Sequence, residues 1–360
     1  MSDRTKKKAA IKRASAKARR SATQLDGQAL RELQGLYQGA LNEVKQELSA
    51  AADEQNQIRL ERLGALRNRL ESHLSTLKNQ KGELLIQTLG RAAQLGVGPW
   101  EPHLDSVTAR ACMDKAVLMA RSFTANDGLQ LSDRLWRIND HNQDAVIRSV
   151  ERAVIRGYDA SRSAAEFLEK GLPVPADLQK AQQQANPETI GRTVGRALMK
   201  EEGNPYANAR RLFRTEINRA HGLAYQEAAF EDDDVIGTRF LLSPNHRHRD
   251  ICDMHASVNR HGLGRGVYPK GKSPWPAHPN TISYEEAVFA DEVTEEDRAG
   301  KEDRISWLKQ QPPAIQQSVL RSQKKAAALN NGLLTEQQIA TPWNVLKQRY
   351  QRQGIDIDAL

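Results

Sequence analysis

Ala29-Leu30-Arg31-Glu32-Leu33-Gln34-Gly35-Leu36-Tyr37-Gln38-Gly39-Ala40-Leu41-Asn42-Glu43-Val44-Lys45-Gln46-Glu47-Leu48 is the stretch that decides the fold class. Leu30, Leu33, Leu36, Tyr37, Ala40, Leu41, Val44 and Leu48 recur at three- and four-residue steps, which lays them along one face of an α-helix. Leu63, Leu66, Leu70, Leu74 and Leu77 repeat the pattern, and Leu84, Leu85 and Leu89 extend it. The spacing predicts helix over residues 26 to about 95, with the polar run 50–57 near a turn. A narrow apolar stripe on a charged helix has to be covered by another helix. Two arrangements satisfy this, a hairpin within the chain or a coiled coil between subunits.

Toward the N-terminus the composition changes to charge. Residues 1–20 hold nine basic side chains, Arg4, Lys6, Lys7, Lys8, Lys12, Arg13, Lys17, Arg19 and Arg20, and one acid, Asp3. The net charge of +8 resides wholly there, since the rest of the chain has 44 basic and 44 acidic residues. Such a segment repels itself and lacks core-forming residues, so it reads as a disordered arm. Its functional reading is a tether for DNA phosphates or for an acidic protein surface. The plainer alternative is a solubilising tail.

Toward the C-terminus, Gly96-Val97-Gly98-Pro99-Trp100-Glu101-Pro102 ends the first helical region. A second helical unit is predicted from about Leu104 to Leu168, with Ser132 and Asp133 as capping residues and Gly157 as a stop. Residues 173–187 read as a linker, and an amphipathic helix follows over about 208–230. The character changes after the acidic run 231–234. Val235-Ile236-Gly237-Thr238-Arg239-Phe240-Leu241-Leu242 is a β-strand candidate closed by Ser243-Pro244, and a loop-rich stretch runs on to about Tyr284. Glu285-Glu286 and Glu295-Glu296 read as solvated helix starts. The predicted class is mainly α with a small α+β C-terminal domain. Its parts are a basic arm (1–25), a helical hairpin or coiled coil (26–98), a helical domain (99–172), a linker (173–190), an α+β module (191–296) and a helical extension (297–360).

Several function classes are disfavoured by composition. No stretch supplies the roughly 18 uncharged apolar residues of a membrane-spanning helix, and the best candidate, 83–98, is interrupted by Arg91. The basic start is not followed by the apolar core of a secretory signal. Cys112 and Cys252 give no disulfide framework, so a reducing compartment such as a cytoplasm is the expectation. Gly262, Gly264 and Gly266 do not lead into the lysine–serine/threonine ending of a phosphate loop.

Three segments carry the most specific pattern. The first is Arg211-Leu212-Phe213-Arg214-Thr215-Glu216-Ile217-Asn218-Arg219-Ala220, in which Arg214 and Glu216 fall on different helix faces and are available to other elements, tying this helix to the β-containing unit. The second comprises Asp250-Ile251-Cys252-Asp253-Met254-His255-Ala256, Gly262-Leu263-Gly264, Gly266-Val267-Tyr268-Pro269 and Pro276-Ala277-His278-Pro279. The third runs from Trp307-Leu308 through Val319-Leu320 to Gly332-Leu333-Leu334 and Pro342-Trp343. In content and order these segments resemble the Mu-type minor head, or head morphogenesis, proteins of tailed bacteriophages, over about residues 130–350. The glycine that usually follows the valine–leucine pair is replaced here by Arg321-Ser322.

The second segment is similar to a branch of that family that continues with two cysteines separated by one residue. Thr281 and Ser283 hold those places here. A full cysteine and histidine set would read as a structural zinc site. Cys252, His255 and His278 are the remaining ligand candidates, with Asp250, Asp253 or a water to complete a tetrahedron. The favoured reading is a hydrogen-bonded loop knot with no cofactor, built on Asp250, Asp253, Gly262, Gly264 and Pro279.

The resemblance implies a structural protein, not an enzyme, present in the phage procapsid or virion interior and in the host cytoplasm during assembly. It implies contacts with the portal protein, the major capsid or scaffold protein and packaged DNA, the last through the basic arm. It involves no membrane, and self-association would use the N-terminal helices. The main alternative is a metal-dependent nuclease or other DNA-processing enzyme, suggested by His246, His248, His255, His261 and His278 with Asp250 and Asp253. An ADP-ribosyltransferase lacks its ordered arginine, serine–threonine–serine and glutamate-x-glutamate set.

Overall fold

The leucine stripes form two long helices, α1 (Asp3–Ala50) and α2 (Leu60–Val97), in a computed structural model that describes residues 3–124 and 128–355. The turn between them is held by Asp53, whose Oδ1 accepts from the N–H groups of Gln55 (3.0 Å) and Gln57 (2.9 Å). The fold is mainly α with a three-stranded antiparallel sheet in the C-terminal half. It divides into two compact units. A helical unit comprises Thr23–Arg91 and Leu118–Ile217, and a sheet unit comprises Met1–Ala22, Ala92–Val117 and Asn218–Leu360.

In the helical unit the stripe residues Leu30, Leu33, Tyr37, Leu41, Val44 and Leu48 of α1 are buried, as are Leu63, Leu66, Leu70, Leu77 and Leu85 of α2. The hairpin arrangement is therefore the one adopted, with Arg69 of α2 reaching Glu47 of α1 at 2.5 Å across its flank. After α3 (Ser106–Ser122) come α4 (Leu131–Gln143), one π-helical turn (Asp144–Arg148), α5 (Ser149–Val154), α6 (Tyr158–Glu169), α7 (Ala176–Gln179) and α8 (Pro187–Met199). Asp133 acts in the first turn of α4, accepting from the N–H of Gln130 at 2.8 Å, so the cap is Gln130 and not Ser132. Helix α8 covers α1 closely: a Cβ at Gly195 would lie 3.3 Å from the Leu41 side chain. Arg67 is buried among Glu151 (2.7 Å), Glu71 (2.9 Å) and Glu169 (2.9 Å).

Two expectations for this region are corrected. Residues 173–190 are not a free linker, because their backbone is bonded into the unit. The Ile58 N–H donates to Ala185 O at 2.9 Å, Gln183 N–H to Val154 O at 2.9 Å and Arg156 N–H to Ala181 O at 2.7 Å. Proline and glutamine content does not report burial where main-chain groups supply the contacts. Arg214, on α9 (Pro205–Ala229), does not tie its helix to the β-containing unit; its Nε lies 3.2 Å from Asp26 Oδ2 of α1, within the helical unit.

In the sheet unit β1 (Val235–Leu241) is central. The element α10 (Ile251–Ser257) intervenes before β2 (Val267–Tyr268) and β3 (Tyr284–Phe289), and the strand order is β2-β1-β3. Thr238 pairs with Tyr268 on one side and Ala287 on the other. One core gathers Ile11, Val97, Trp100, Ala116, Tyr225, Val235 and Phe289, with the Trp100 ring 5.9 Å from that of Tyr225. A second joins Met254 and Val258 to Trp307, Leu308, Val319, Leu320, Leu329, Leu346 and Tyr350. After the short exposed helix α11 (Glu295–Ala299), it is built by α12 (Arg304–Gln310), α13 (Pro313–Leu320), α14 (Gln323–Asn330) and α15 (Trp343–Arg352).

The basic arm expected to be disordered is instead the beginning of α1 from Asp3 onward. Arg4 pairs with Asp234 and Lys7 with Asp232, at 2.7 and 2.8 Å. Lys8 pairs with Asp291, and Lys12 with Glu292. Ile11 is 1% exposed and belongs to the first core. The self-repulsion that argued for disorder is relieved by carboxylates far away in sequence, and the alanines at 9, 10, 14, 16 and 18 favour helix.

Candidate functional site

The site grows from the capping of α10. Asp250 is its N-cap and accepts from the Cys252 N–H at 2.7 Å, while Asp253 Oδ2 accepts from the Asp250 N–H at 2.8 Å. This reciprocal capping fixes both carboxylates. Asp253 also meets His246 Nε2 at 2.8 Å. Cys252 turns inward and is 1% exposed.

From the loop before β3, His278 closes the centre. Its Nε2 lies 2.9 Å from Asp250 Oδ2 and 3.2 Å from Cys252 Sγ, and its Nδ1 faces the Pro279 carbonyl at 2.7 Å. With acceptors at both ring nitrogens the imidazolium is the favoured form, because only that form donates from both. The bond to Asp250, then that to Cys252, raises His278 to about 10 against its burial. Burial alone would raise Asp250, but the bonds from His278 and the Cys252 N–H outweigh it and hold the carboxyl at about 2. The result is a half-buried ion pair with a sulfur beside it.

Thr281 and Ser283 reach the same place. Both are buried, Thr281 Oγ1 stands 3.5 Å from Cys252 Sγ, and the Ser283 N–H donates to that hydroxyl at 3.4 Å. Asn218 of α9 donates to the Thr281 carbonyl at 2.6 Å, which joins the first motif segment to the second. Arg321 approaches Asp250 Oδ2 at 3.9 Å from the end of α13.

Metal fit can be judged from the donors. The ligand atoms of Asp250, Cys252 and His278 lie within 4.8 Å of one another, as do those of His246, Asp250 and Asp253. Carboxylate, thiol and imidazole in one half-buried corner suit zinc, whereas the Thr281 hydroxyl that stands beside Cys252 is a poor zinc ligand. His255 does not join this set. Its ring stacks 5.8 Å from Phe240 and 6.4 Å from Tyr268, and burial followed by the nearby Arg304 charge lowers it to about 3, so it is a neutral core residue. His248 is exposed, and His261 lies 5.6 Å from the Tyr268 ring.

The glycine loop supports α10 from behind. Gly262, Gly264 and Gly266 have φ of +70°, +104° and +69°. A Cβ on Gly264 would sit 3.1 Å from Asp297 Oδ1, and one on Gly266 2.7 Å from Ala256 O. The Phe240 N–H donates to Gly266 O at 2.8 Å, and the Gly266 N–H to Val258 O at 3.0 Å, which welds loop, strand and helix. In α9, Thr215 donates to Arg211 O at 2.7 Å, and Glu216 and Arg219 are buried.

Sequence reasoning missed Glu285. It does not start a solvated helix; it is a buried strand residue that accepts from Thr238 Oγ1 at 3.1 Å and from Ser273 and Gln226. Burial pushes its carboxyl up, and the bonds from Ser273, Gln226 and Thr238 oppose that. The apolar run Ala287-Val288-Phe289 directly after it was the available strand signal. Glu295, by contrast, does begin a helix.

Compared with known proteins, the chain matches no family model, no curated protein and no solved structure.

Proposed function

We propose that this chain is a structural component of a tailed-phage head, a minor head protein that acts in procapsid assembly at or near the portal vertex. The observation that carries the reading is how the polar groups of the most specific motif are used. Asp250, Cys252, Asp253, His246, His278 and Thr281 bond one another and nearby backbone, as expected of a centre that keeps a loop in shape. Cavities of about 550 and 720 Å³ are lined wholly by residues of the helical unit. On that unit Leu118 and Trp136 are each 64% exposed and Phe123 43%, the kind of apolar surface that protein partners cover.

In this role the sheet unit is a rigid module and the helical unit offers contact surface to portal, major capsid or scaffold protein, in the procapsid or virion interior. Self-association uses the same helical surface. The test is co-expression with portal, coat and scaffold proteins, in which the chain co-purifies with at least one. Failure to associate with all three removes the assembly role. The centre is proposed to hold without zinc; elemental analysis that finds about one zinc per chain, lost in Cys252→Ser, would overturn that part.

One observation favours the alternative of a metal-dependent nuclease: the two donor clusters share Asp250. Such an enzyme needs the metal to activate water and to stabilise phosphoryl charge. Plasmid nicking with magnesium, manganese or zinc, abolished in His278→Ala, would install that reading in place of ours.

A further inference from the structure

The nine cations near the N-terminus do not act as one cloud. At 3.6 residues per turn, Arg4, Lys7, Lys8 and Lys12 fall on the face of α1 that carries the buried Ile11, and each meets a carboxylate of its own sheet unit. Arg19 lies on that side too, its guanidinium 3.8 Å over the Tyr284 ring. The other four, Lys6, Arg13, Lys17 and Arg20, are all exposed. Their helical angles fall within an arc of about 60° on the opposite face, and they span about 21 Å along the axis. Lys6 has an exposed neighbour, Asp3, at 3.8 Å. Arg13, Lys17 and Arg20 have no ion-pair partner among the described residues.

We infer that this outer stripe, Lys6, Arg13, Lys17 and Arg20, is a contact surface for the phosphates of duplex DNA, and that the other basic residues of the segment are structural. The argument is geometric. Inner cations whose charge is already matched release few counterions from a polyanion, while an ordered row of exposed cations on a pinned helix meets phosphates without ordering an arm first. Duplex DNA fits the row because it presents about one charge per 1.7 Å of axis, so a stripe about 21 Å long faces several phosphates at once. All four residues are cations on long stems, with no aromatic side chain interleaved to stack bases, which argues for backbone contact without sequence readout. The proposal rests on the head-protein reading only in taking packaged duplex as the natural polyanion. Its test uses the purified chain, so a failure to bind portal leaves it standing.

Binding of the full-length protein to a labelled random-sequence duplex would be followed by anisotropy between about 50 and 200 mM salt. Four contacts give a slope of log affinity on log salt of about −3.6, and each single change to glutamine within the stripe lowers it by about 0.9. The quadruple variant Lys6→Gln, Arg13→Gln, Lys17→Gln, Arg20→Gln binds at least tenfold more weakly with an unaltered melting point. The inner variant Lys8→Gln, Lys12→Gln keeps the wild-type slope. A slope near −8, or an equal loss in the inner variant, would mean that the whole segment leaves its carboxylates and would overturn the two-face assignment. Undetectable duplex binding at the lowest salt, or polyglutamate or anionic vesicles bound as tightly as duplex, would overturn the DNA assignment.

Discussion

Arg321 ends α13 in the left-handed region, with φ of +53° and ψ of +29°. A side chain there costs about 1–2 kcal/mol relative to glycine. Glycine is the residue that this conformation favours, so an arginine here has a physical cost. The chain keeps the turn and accepts the strain, and the Arg321 guanidinium points toward Asp250. Arg321→Gly is expected to raise stability by about 0.5–1 kcal/mol in urea denaturation, less than the full backbone gain because glycine also loosens the unfolded chain. A lower midpoint would mean that the reach to Asp250 outweighs the strain. Lys81 presents the opposite case. Fully buried, it donates to Asn139 Oδ1 at 2.7 Å, and burial lowers its ammonium to about 7. The unfolded chain then binds the proton more tightly than the folded one between about pH 7 and 10.5, so this residue costs stability that is regained as pH rises through that window. Lys81→Met should be more stable than wild type by about 1–3 kcal/mol at pH 7. The gap should close toward pH 10, and a constant gap would show that Lys81 stays charged in the fold.

Helices were the legible elements, because a three-and-four spacing of leucines leaves little choice of period. Their ends were read well where capping is local, as for Glu295, and poorly where it is not. The first turns of α1 were read as disordered because charge was counted along the sequence, while most of the carboxylates that neutralise it lie 230 or more residues away. Ile11 was the overlooked anchor. Ile11→Ala should cost about 2–4 kcal/mol and open residues 3–22 to proteolysis. Lys8→Gln should cost only about 0.2–1 kcal/mol, as a partly exposed ion pair does. Equal protease resistance in Ile11→Ala and wild type would mean that the ion pairs alone hold the segment. Close helix approach was equally invisible in the sequence. A Cβ at Gly96 would fall 2.3 Å from His221 O, whereas Gly90, in the same helix, has nothing within 4 Å. Gly96→Ala should therefore destabilise by about 1–3 kcal/mol, and Gly90→Ala should stabilise by about 0.5–1 kcal/mol. Melting of the two variants side by side checks both signs.

At the scale of the molecule, the candidate site was half legible. Spacing nominated Cys252, His255 and His278 together, and only the fold separates the two that meet Asp250 from the one that enters the core. The difference is directional, since a helix of seven residues sends Cys252 toward the β3 loop and His255 between aromatic rings. Partner surfaces were less legible still, because an apolar residue in a helix reads as core until its neighbours are known. Leu118 and Met119 at the end of α3, Phe123 just beyond it and Trp136 in α4 are such residues, left outside the helical unit's own core. If they dock a head protein, desolvation of two aromatic rings should supply much of the affinity, since truncating an anchor residue costs about 2 kcal/mol or more. Phe123→Ser with Trp136→Ser should then weaken co-purification with the partner at least tenfold, while the free energy of unfolding stays within about 0.5 kcal/mol of wild type, as for surface changes generally. Variants that fold normally and still co-purify in full would move the docking surface elsewhere on the chain. Variants that lose stability would instead assign these rings to the unit's own packing, which their exposure argues against.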